Sequence, residues 1–139
     1  MDRTLVICKP DAVERGLVGE ILSRIERKGL SLVAVELRTL DGETLARHYR
    51  EHVAKPFYGE LVSFMSRGPV LLVVVEGPAD TWRIVRELMG ETNSAAAAPG
   101  TIRGDLSGSF TENLVHGSDS PDSAAREIEI FFPGLAALP

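Results

Sequence analysis

Apolar side chains follow two spacings along the chain, and their order predicts a succession of strands and helices. Residues 4–8 and 70–75 are nearly continuous apolar runs, which predicts buried strands, the second in the middle of a sheet. Residues 18–28 and 79–89 instead repeat apolar positions at the helical period, and a glycine follows each segment. The remaining predicted elements are strands at 30–37 and 113–116 and helices at 42–51, 59–66 and 122–130.

The order of these elements is βαββαβ with additional helices. It predicts an α+β, ferredoxin-like fold, in which helices pack on the faces of a four-stranded antiparallel sheet. Asp80 is expected to cap the helix at 79–89, and Ser120 with Pro121 to begin the last helix. Residues 91–112 break the periodicity, and an ordered loop of that length predicts a site or an interface. The 139 residues suit one domain, expected to span 1–139.

Composition narrows the class of protein. Fifteen Lys and Arg against twenty Asp and Glu give a net charge of −5, which argues against general adhesion to nucleic acid or to an anionic membrane. No apolar run is long enough to cross a bilayer, and the first residues lack the pattern of a secretory signal, so we expect a cytoplasmic protein. The single Cys8 has no partner for an internal disulfide and is expected to pack as a small hydrophobic residue.

The stretch NLVHGSDS, residues 113–120, carries candidate chemistry. It places His116 between an apolar pair and small polar residues, which predicts a strand that ends at a cleft. His116 is either a half-buried histidine satisfied by a neighbour or a nucleophile, which needs a neutral ring with one nitrogen free and the other bonded to an acceptor. Glu127 is a candidate acceptor, with help from Ser118, or else a solvated carboxylate of its helix; Arg126 or Glu129 could equally be the exposed residue, and spacing alone does not decide.

Four scattered residues, Lys9, Arg86, Thr92 and Arg103, are candidates for binding phosphate. Each alone predicts only a surface group. Together they would surround a polyphosphate well, because Arg binds phosphate oxygens bidentately and Lys acts as a compact charge. The P-loop motif and the protein-kinase motifs are both missing from the sequence. Any phosphate must therefore be bound by side chains from several elements.

Two further features have alternative interpretations. Phe57 follows Lys55 and Pro56 in a predicted turn, where it either stacks on a planar base or belongs to the core. His48 and His52 are spaced i, i+4 on a predicted helix, a spacing that can bind a metal. No third ligand accompanies them in the sequence, so we do not expect a metal site at this pair.

Several motifs taken together resemble those of nucleoside-diphosphate kinases. The resemblance covers almost the whole chain, from about residue 3 to residue 132, and NxxHGSD at 113–119 is the most specific of its motifs. The other motifs are KPD at 9–11, ERKG at 26–29, GETN at 90–93 and PGTIRGD at 99–105. The resemblance implies an enzyme that passes the γ-phosphate of a nucleoside triphosphate to a nucleoside diphosphate by a ping-pong route through a phosphohistidine.

The resemblance also implies roles for individual residues. His116 would be the nucleophile, and Glu127 would orient its imidazole with help from Ser118. Lys9 and Tyr49 are expected to act beside them in catalysis. The implied phosphate contacts are Lys9, Tyr49, Arg86, Thr92, Arg103 and, more weakly, His52 and Lys55.

The implied contacts extend to the rest of the nucleotide. Lys9 and Asn113 would meet the ribose hydroxyl, and Phe57 would stack on the base. Mg²⁺ would arrive on the nucleotide phosphates, with no direct protein ligand expected and Asp119 near it through water, since Mg²⁺ keeps most of its waters. The implied partners are nucleoside di- and triphosphates and further copies of the chain in a hexamer or tetramer, with no requirement for nucleic acid or a membrane.

The sequence departs from the family pattern at a few positions. Leu106 stands where many members carry an aromatic residue, and residues 79–82 hold one extra residue. Phe110 stands opposite Phe57, where a small aliphatic side chain is often found. Two rival hypotheses of other classes are a ferredoxin-like regulatory module that binds a nucleotide without turnover and a nucleic-acid binder with the same type of sheet; the acidic charge balance counts against the second.

Overall fold

The computed structural model describes residues 1–135, so the last four residues of the predicted domain 1–139 lie outside the described residues. The strands are β1 (Asp2–Cys8), β2 (Ser31–Arg38), β3 (Val70–Gly77) and β4 (Val115–Gly117). The helices in this part of the chain are α1 (Pro10–Glu14), α2 (Val18–Arg27), α3 (Gly42–His48), α4 (Tyr58–Ser66), α5 (Thr81–Met89), α6 (Ile102–Leu106) and α7 (Pro121–Phe131), with a 3₁₀ turn at Ser94–Ala96.

The four strands form one antiparallel sheet in the order β2-β3-β1-β4. This order confirms the predicted ferredoxin-like fold. β3 lies between β2 and β1, in the middle of the sheet, as predicted. Its apolar run is continuous because side chains on both faces of a central strand are buried. β1 lies beside it, so the strand that leads into Lys9 is also central in the sheet.

Each face of the sheet has its own hydrophobic core, because successive side chains of a strand point to opposite faces. Val6 and Val73 face one core, which α2 and α5 cover with residues such as Ile21 and Val85. The opposite core is built on these residues of β1, β3, α3, α4 and α7: Leu5, Ile7, Leu72, Val74, Leu45, Met65 and Phe131. The two cores therefore enclose the central strands β1 and β3 from both sides.

The edge strand β2 is less buried than its alternation predicts. Its register against β3 shifts between Leu32 and Ala34. Beyond that irregularity Val35 and Leu37 are 49% and 59% exposed. A shift of one residue in register turns later side chains to the other face of the sheet. The outer half of β2 therefore presents apolar side chains at the sheet edge.

Two short helices were not predicted. Pro10 does end the β1 ladder, but it also occupies the first turn of α1, where a missing N–H costs nothing. Residues 91–112 include the 3₁₀ turn and α6, whose first turn is capped when the Thr101 side chain accepts from the Gly104 N–H. The long loop is therefore ordered by local hydrogen bonds.

The predicted helix caps differ in outcome. Ser120 caps α7 by accepting from the Ser123 N–H at 3.0 Å, as predicted. The prediction for Asp80 is wrong: its side chain caps no N–H, its backbone is left-handed (φ 62°), and its own N–H donates to Asp2 Oδ2. α3 ends at His48, so His48 and His52 do not share a helix face. Among the helices of residues 1–135, none is long and apolar enough to span a membrane.

Candidate active site

His116 lies in β4 opposite Ile7 of β1. Backbone hydrogen bonds fix both ends of this short strand: the Lys9 N–H donates to Leu114 O at 2.8 Å, and the Ser118 N–H donates to Leu5 O at 3.1 Å. The His116 side chain is 23% exposed and faces a cavity of about 400 Å³. The imidazole is thus held by the sheet and open to solvent on one side.

Gly117 explains why a small residue follows His116. A Cβ at this position would lie 2.7 Å from Met89 Sδ, so a side chain would displace the buried Met89 side chain of α5. The tight packing of β4 on α5 also brings Arg86 to the site, where its Nη1 donates to Gly117 O at 2.9 Å. Glycine is therefore needed here for close packing rather than for an unusual backbone conformation.

Glu127 is the acceptor for the imidazole. It is buried on α7, whereas Glu129 on the same helix is exposed, which decides the question that spacing left open. Glu127 Oε1 accepts from His116 Nε2 at 2.8 Å and from Ser118 Oγ at 2.8 Å. The arrangement brings together residues from β4, the following turn and α7.

The charge of Glu127 determines which imidazole nitrogen is free. Burial raises the pKa of this carboxyl, but the hydrogen bond and charge of His116, with the bond from Ser118, outweigh it and bring the pKa below its usual range. An ionised carboxylate only accepts hydrogen bonds, so Nε2 of the neutral ring carries the proton. The lone pair then lies on Nδ1.

His48 is a part of the site that the sequence did not predict. Its side chain is 1% exposed, its ring meets that of His116 edge to face at 4.7 Å, and its Nδ1 lies 4.0 Å from Glu127 Oε2. Burial, followed by the charge of His116, lowers the pKa of His48 to about 3, so the ring is neutral. Its spacing of three residues from the buried Leu45 on α3 was the available signal.

Hydrogen bonds connect three predicted site residues that lie far apart in the chain, Lys9, Thr92 and Asn113. Lys9 Nζ donates to Asn113 Oδ1 at 2.7 Å, and Asn113 Nδ2 donates to Thr92 O at 3.0 Å. Burial, followed by the charge of Arg103, lowers the pKa of Lys9 to about 8. The amine is therefore poised to lose its charge in mildly alkaline solution.

Arg103 is more deeply buried than a surface cation, with 4% of the residue exposed. Its guanidinium donates to three backbone carbonyls, those of Gly90, Asn113 and Val115. Burial, followed by the charge of Arg86, lowers the pKa of Arg103 to about 10. Arg103 thus links the carbonyl that follows α5 to carbonyls in β4 and directly before it. Its role as a phosphate contact stays a prediction.

A strained residue precedes the histidine. Leu114 is buried in a left-handed backbone conformation (φ 75°), which costs a non-glycine residue about 1–3 kcal/mol. Asp11 offsets part of this cost, because its Oδ2 accepts from the Leu114 N–H at 3.1 Å. Asp11 is the last residue of the KPD motif, and sequence reasoning assigned it no role.

A second cavity, of about 530 Å³, adjoins His116 on its other side. Phe57 and Phe110 line it and are 47% and 65% exposed, so Phe57 is not a core residue. Lys55 Nζ lies 5.8 Å from the centre of the Phe57 ring, and the His52 ring lies 5.5 Å from it. The remaining predicted site residues that line this cavity are Lys9, Tyr49, Thr92 and Asn113.

Asp119 lies on the first cavity together with His116 and Arg86. It is exposed, and its Oδ1 accepts from Ser123 Oγ at 2.7 Å. Tyr49 lines both cavities, and burial raises the pKa of its hydroxyl. The predicted site residues thus lie in one region around His116, where Arg103 donates to backbone carbonyls.

Comparisons with known proteins identify the family and the fold. The family model described as nucleoside diphosphate kinase matches residues 2–136. A nucleoside diphosphate kinase of Nocardioides sp. is 60% identical over 133 residues, covering 96% of this chain and 98% of the relative. The nucleoside diphosphate kinase of Halobacterium salinarum, solved in complex with CDP, has a TM-score of 0.90 at 50% identity and covers 94% of this chain and 87% of its own. That of Encephalitozoon cuniculi has a TM-score of 0.94 at 42% identity, covering 100% of this chain and 93% of its own.

Proposed function

Because this chain belongs to the nucleoside diphosphate kinase family and transfers the γ-phosphate of a nucleoside triphosphate to a nucleoside diphosphate, we propose that His116 carries the phosphoryl group between the two nucleotides. The observation that carries the proposal is the 2.8 Å contact between His116 Nε2 and Glu127 Oε1, which leaves Nδ1 free beside two cavities. Membership of this family argues against the two rival hypotheses, a regulatory module without turnover and a nucleic-acid binder.

In the first step Nδ1 attacks the γ-phosphorus of the triphosphate. The bond from phosphorus to the β,γ-bridging oxygen breaks, its electron pair leaves with the diphosphate, and a phosphohistidine remains. The ring gains positive charge as the N–P bond forms, and the ionised Glu127 stabilises that charge through Nε2–H. In the second step a terminal oxygen of another diphosphate attacks the same phosphorus, and the imidazole is restored.

Cationic and polar side chains from several elements bind the phosphates. Lys9 and Arg86 lie on opposite sides of His116, which supports their role in stabilising charge on the transferring phosphoryl group. The other proposed phosphate contacts are Tyr49, Thr92, Arg103 and, more weakly, His52 and Lys55. Asn113 and Lys9 bind the ribose hydroxyl, and Phe57 stacks on the base, an interaction that tolerates different bases.

A phosphotransferase acting on nucleotides generally works with a divalent metal, and we propose Mg²⁺. The donor set fits this ion: Asp119 is an exposed carboxylate in the same cavity as His116, and Mg²⁺ takes one or two carboxylates together with substrate phosphates and water. When bound, Mg²⁺ neutralises phosphate charge. Asp119 would hold it through water, and no protein side chain would be a dedicated ligand.

The remaining proposals concern the state of the protein. We propose one domain over 1–139, a cytoplasmic enzyme that requires neither nucleic acid nor a membrane, and a homo-oligomer, hexamer or tetramer. Val35 and Leu37, exposed on the edge strand β2, support the oligomer, because an uncovered apolar edge is a surface for pairing. Light scattering coupled to gel filtration measures the assembly directly.

The proposal for His116 is tested by incubating the protein with ATP labelled at the γ-phosphate. We expect one label per chain, in a bond that is acid-labile and alkali-stable, and a discharge of the label by added GDP. His116→Ala should take no label and catalyse no exchange between ATP and GDP. Label that persists in His116→Ala, or exchange without label in the wild type, would rule out the proposed role.

A further inference from the structure

His48 is a buried polar side chain whose nitrogens are unused. Within residues 1–135, neither its Nδ1 nor its Nε2 has a hydrogen-bond partner, although the side chain is 1% exposed. Burying an unpaired polar group costs about 1–3 kcal/mol. A phenylalanine would fill the same space without this cost, so packing alone does not account for an imidazole here.

The unused nitrogens lie beside two other metal-binding groups. Donor atoms of His48, His116 and Glu127 all lie within 4.8 Å of one another. In a tetrahedral zinc site, donor atoms about 2.0–2.2 Å from the metal are roughly 3.4 Å apart. The widest separation of 4.8 Å therefore has to shrink by about 1.4 Å and the 2.8 Å contact of His116 with Glu127 has to open slightly, adjustments that side-chain rotation can supply.

We propose that His48, His116 and Glu127 form a site for a late first-row transition dication, such as Zn²⁺ or Co²⁺, and that its occupancy inactivates the enzyme. Two imidazoles and one carboxylate are the donors these ions favour, whereas Mg²⁺ prefers oxygen ligands and water. The proposed site is therefore separate in chemistry from the Mg²⁺ that accompanies the nucleotide. Its fourth position would face the cavity.

The charges around the cavity tolerate a dication. Its lining carries four carboxylates, those of Glu51, Asp119, Asp122 and Glu127, and three guanidinium groups, those of Arg50, Arg86 and Arg126. Arg126 is the nearest competitor, since its Nη2 lies 3.8 Å from Glu127 Oε2. This contact is longer than a hydrogen bond, and Arg126 Nη1 donates instead to the carbonyls of Arg47 and His48, so a metal ion at Glu127 would break no hydrogen bond of Arg126.

Metal binding would inactivate His116 by changing its tautomer. The metal takes the lone pair of Nε2, so the proton that Nε2 donated to Glu127 moves to Nδ1, and the neutral ring keeps a single proton. Nδ1 then has no lone pair with which to attack phosphorus. Binding itself stands on the geometry of the three side chains, whereas the loss of activity rests on the proposed role of His116.

The experiment compares metal binding by the wild type, His48→Phe and His52→Ala. The Phe variant keeps a ring against Tyr49 and Phe131 but removes both nitrogens, and the Ala variant removes the third histidine of the chain. Zn²⁺ binding is measured by competition with a chromogenic chelator, and Co²⁺ binding by the visible absorption of a four-coordinate ion. The same proteins are then labelled with γ-labelled ATP in excess Mg²⁺, with and without Zn²⁺.

We expect one ion per wild-type chain, an affinity at least about tenfold lower in His48→Phe, and no more than a twofold change in His52→Ala. Relative to each protein's own labelling without Zn²⁺, Zn²⁺ should suppress labelling in the wild type and His52→Ala but not in His48→Phe. Wild-type affinity in His48→Phe, or its loss in His52→Ala, would overturn the site. Binding without suppression would overturn the inhibition alone, and a wild type that takes no label even without Zn²⁺ would count against the proposed function instead.

A second measurement covers the case in which His48→Phe does not fold. In the ¹⁵N spectrum of the wild type, Cd²⁺ should shift the imidazole resonances of His48 and His116 and leave those of His52 in place. A shift confined to His52, or none at all, would overturn the site.

Discussion

On one side of His116, Glu127 and Ser118 are buried and joined by hydrogen bonds of 2.8 Å; on the other, Phe57 and Phe110 stand 47% and 65% exposed. The first side positions a reacting nitrogen, which demands a fixed tautomer and a fixed direction of attack. The second side is the proposed surface for the flat face of the base. Under that proposal the two sides have separate tasks: the buried side holds the reacting nitrogen for every substrate, and the exposed side contacts the base without selecting one.

Removing the charge on the buried side should have the largest effect. We expect Glu127→Gln to lower kcat about 100-fold with little change in KM, because the amide keeps the shape but does not stabilise the imidazolium or hold Nε2 as the donor. Steady-state exchange between ATP and GDP measures both constants. Glu129→Gln, an exposed change two residues further along α7, is the matched control. Equal losses in the two variants would mean that Glu127 acts only on helix stability.

Lys9 lines the same cavity as Phe57, and its charge gives the next largest effect. Because its pKa is lowered to about 8, the amine is charged below pH 8 and becomes neutral as the pH rises above it. We expect kcat/KM, which reports the free enzyme, to fall about tenfold between pH 7 and pH 9.

Two controls accompany the Lys9 profile. In Lys9→Arg, kcat/KM should not fall between pH 7 and pH 9, since a guanidinium keeps its proton throughout this range. In the wild type without nucleotide, the free energy of unfolding should rise from about pH 8 to pH 10.5, because the unfolded amine still binds a proton there and the folded one does not. If kcat/KM of Lys9→Arg falls as it does in the wild type, a group other than Lys9 causes the pH dependence.

Removing the aromatic ring on the exposed side should have a smaller effect, confined to binding. We expect Phe57→Ala to raise KM about fivefold for every nucleotide and to leave kcat nearly unchanged, because stacking on a half-exposed ring is worth about 1 kcal/mol. KM values for adenine, guanine and pyrimidine nucleotides check this. A large fall in kcat would break the division between the two sides.

Phe110 should have the smallest effect. It is the more exposed of the two rings and lies in a stretch without regular structure, so we expect Phe110→Ala to change KM by less than about twofold. The same series of nucleotides measures it, with Phe57→Ala as the reference. An effect larger than that of Phe57→Ala would show that Phe110, rather than Phe57, provides the stacking surface.

Predictions from this sequence were accurate where the structure depends on residues close together in the chain, and they failed where it depends on contacts between distant segments. β3, α2 and α5 were predicted nearly to their bounds because the burial of one face or both faces sets a period that neighbouring residues share. α1 was missed because only five residues form it and the preceding strand gave the stronger signal. Asp80 was misassigned because a bond from its own N–H to Asp2, on another strand, replaced the local cap.

For the site, the motif around His116 predicted a nucleophile, and scattered residues together with the family resemblance predicted phosphate contacts. Both roles stay predictions, and the sequence did not place the side chains. Arg103 was predicted as a phosphate contact, and in the structure it donates to three backbone carbonyls, partners that no local pattern reveals. His48 was considered only with His52, its neighbour in sequence, while its neighbours in space are His116 and Glu127.

By itself, then, the sequence determined the order of strands and helices, the ferredoxin-like sheet and the residue type at each candidate position, because these follow from hydrophobic periodicity and short motifs. Tertiary structure alone decided that Glu127 rather than Glu129 meets the imidazole, that Asp11 supports the strained Leu114, and that His48 lies against His116. The physical reason is that β1 and β4 pair across more than one hundred residues, and their register, set by packing on both faces of the sheet, determines which side chains meet.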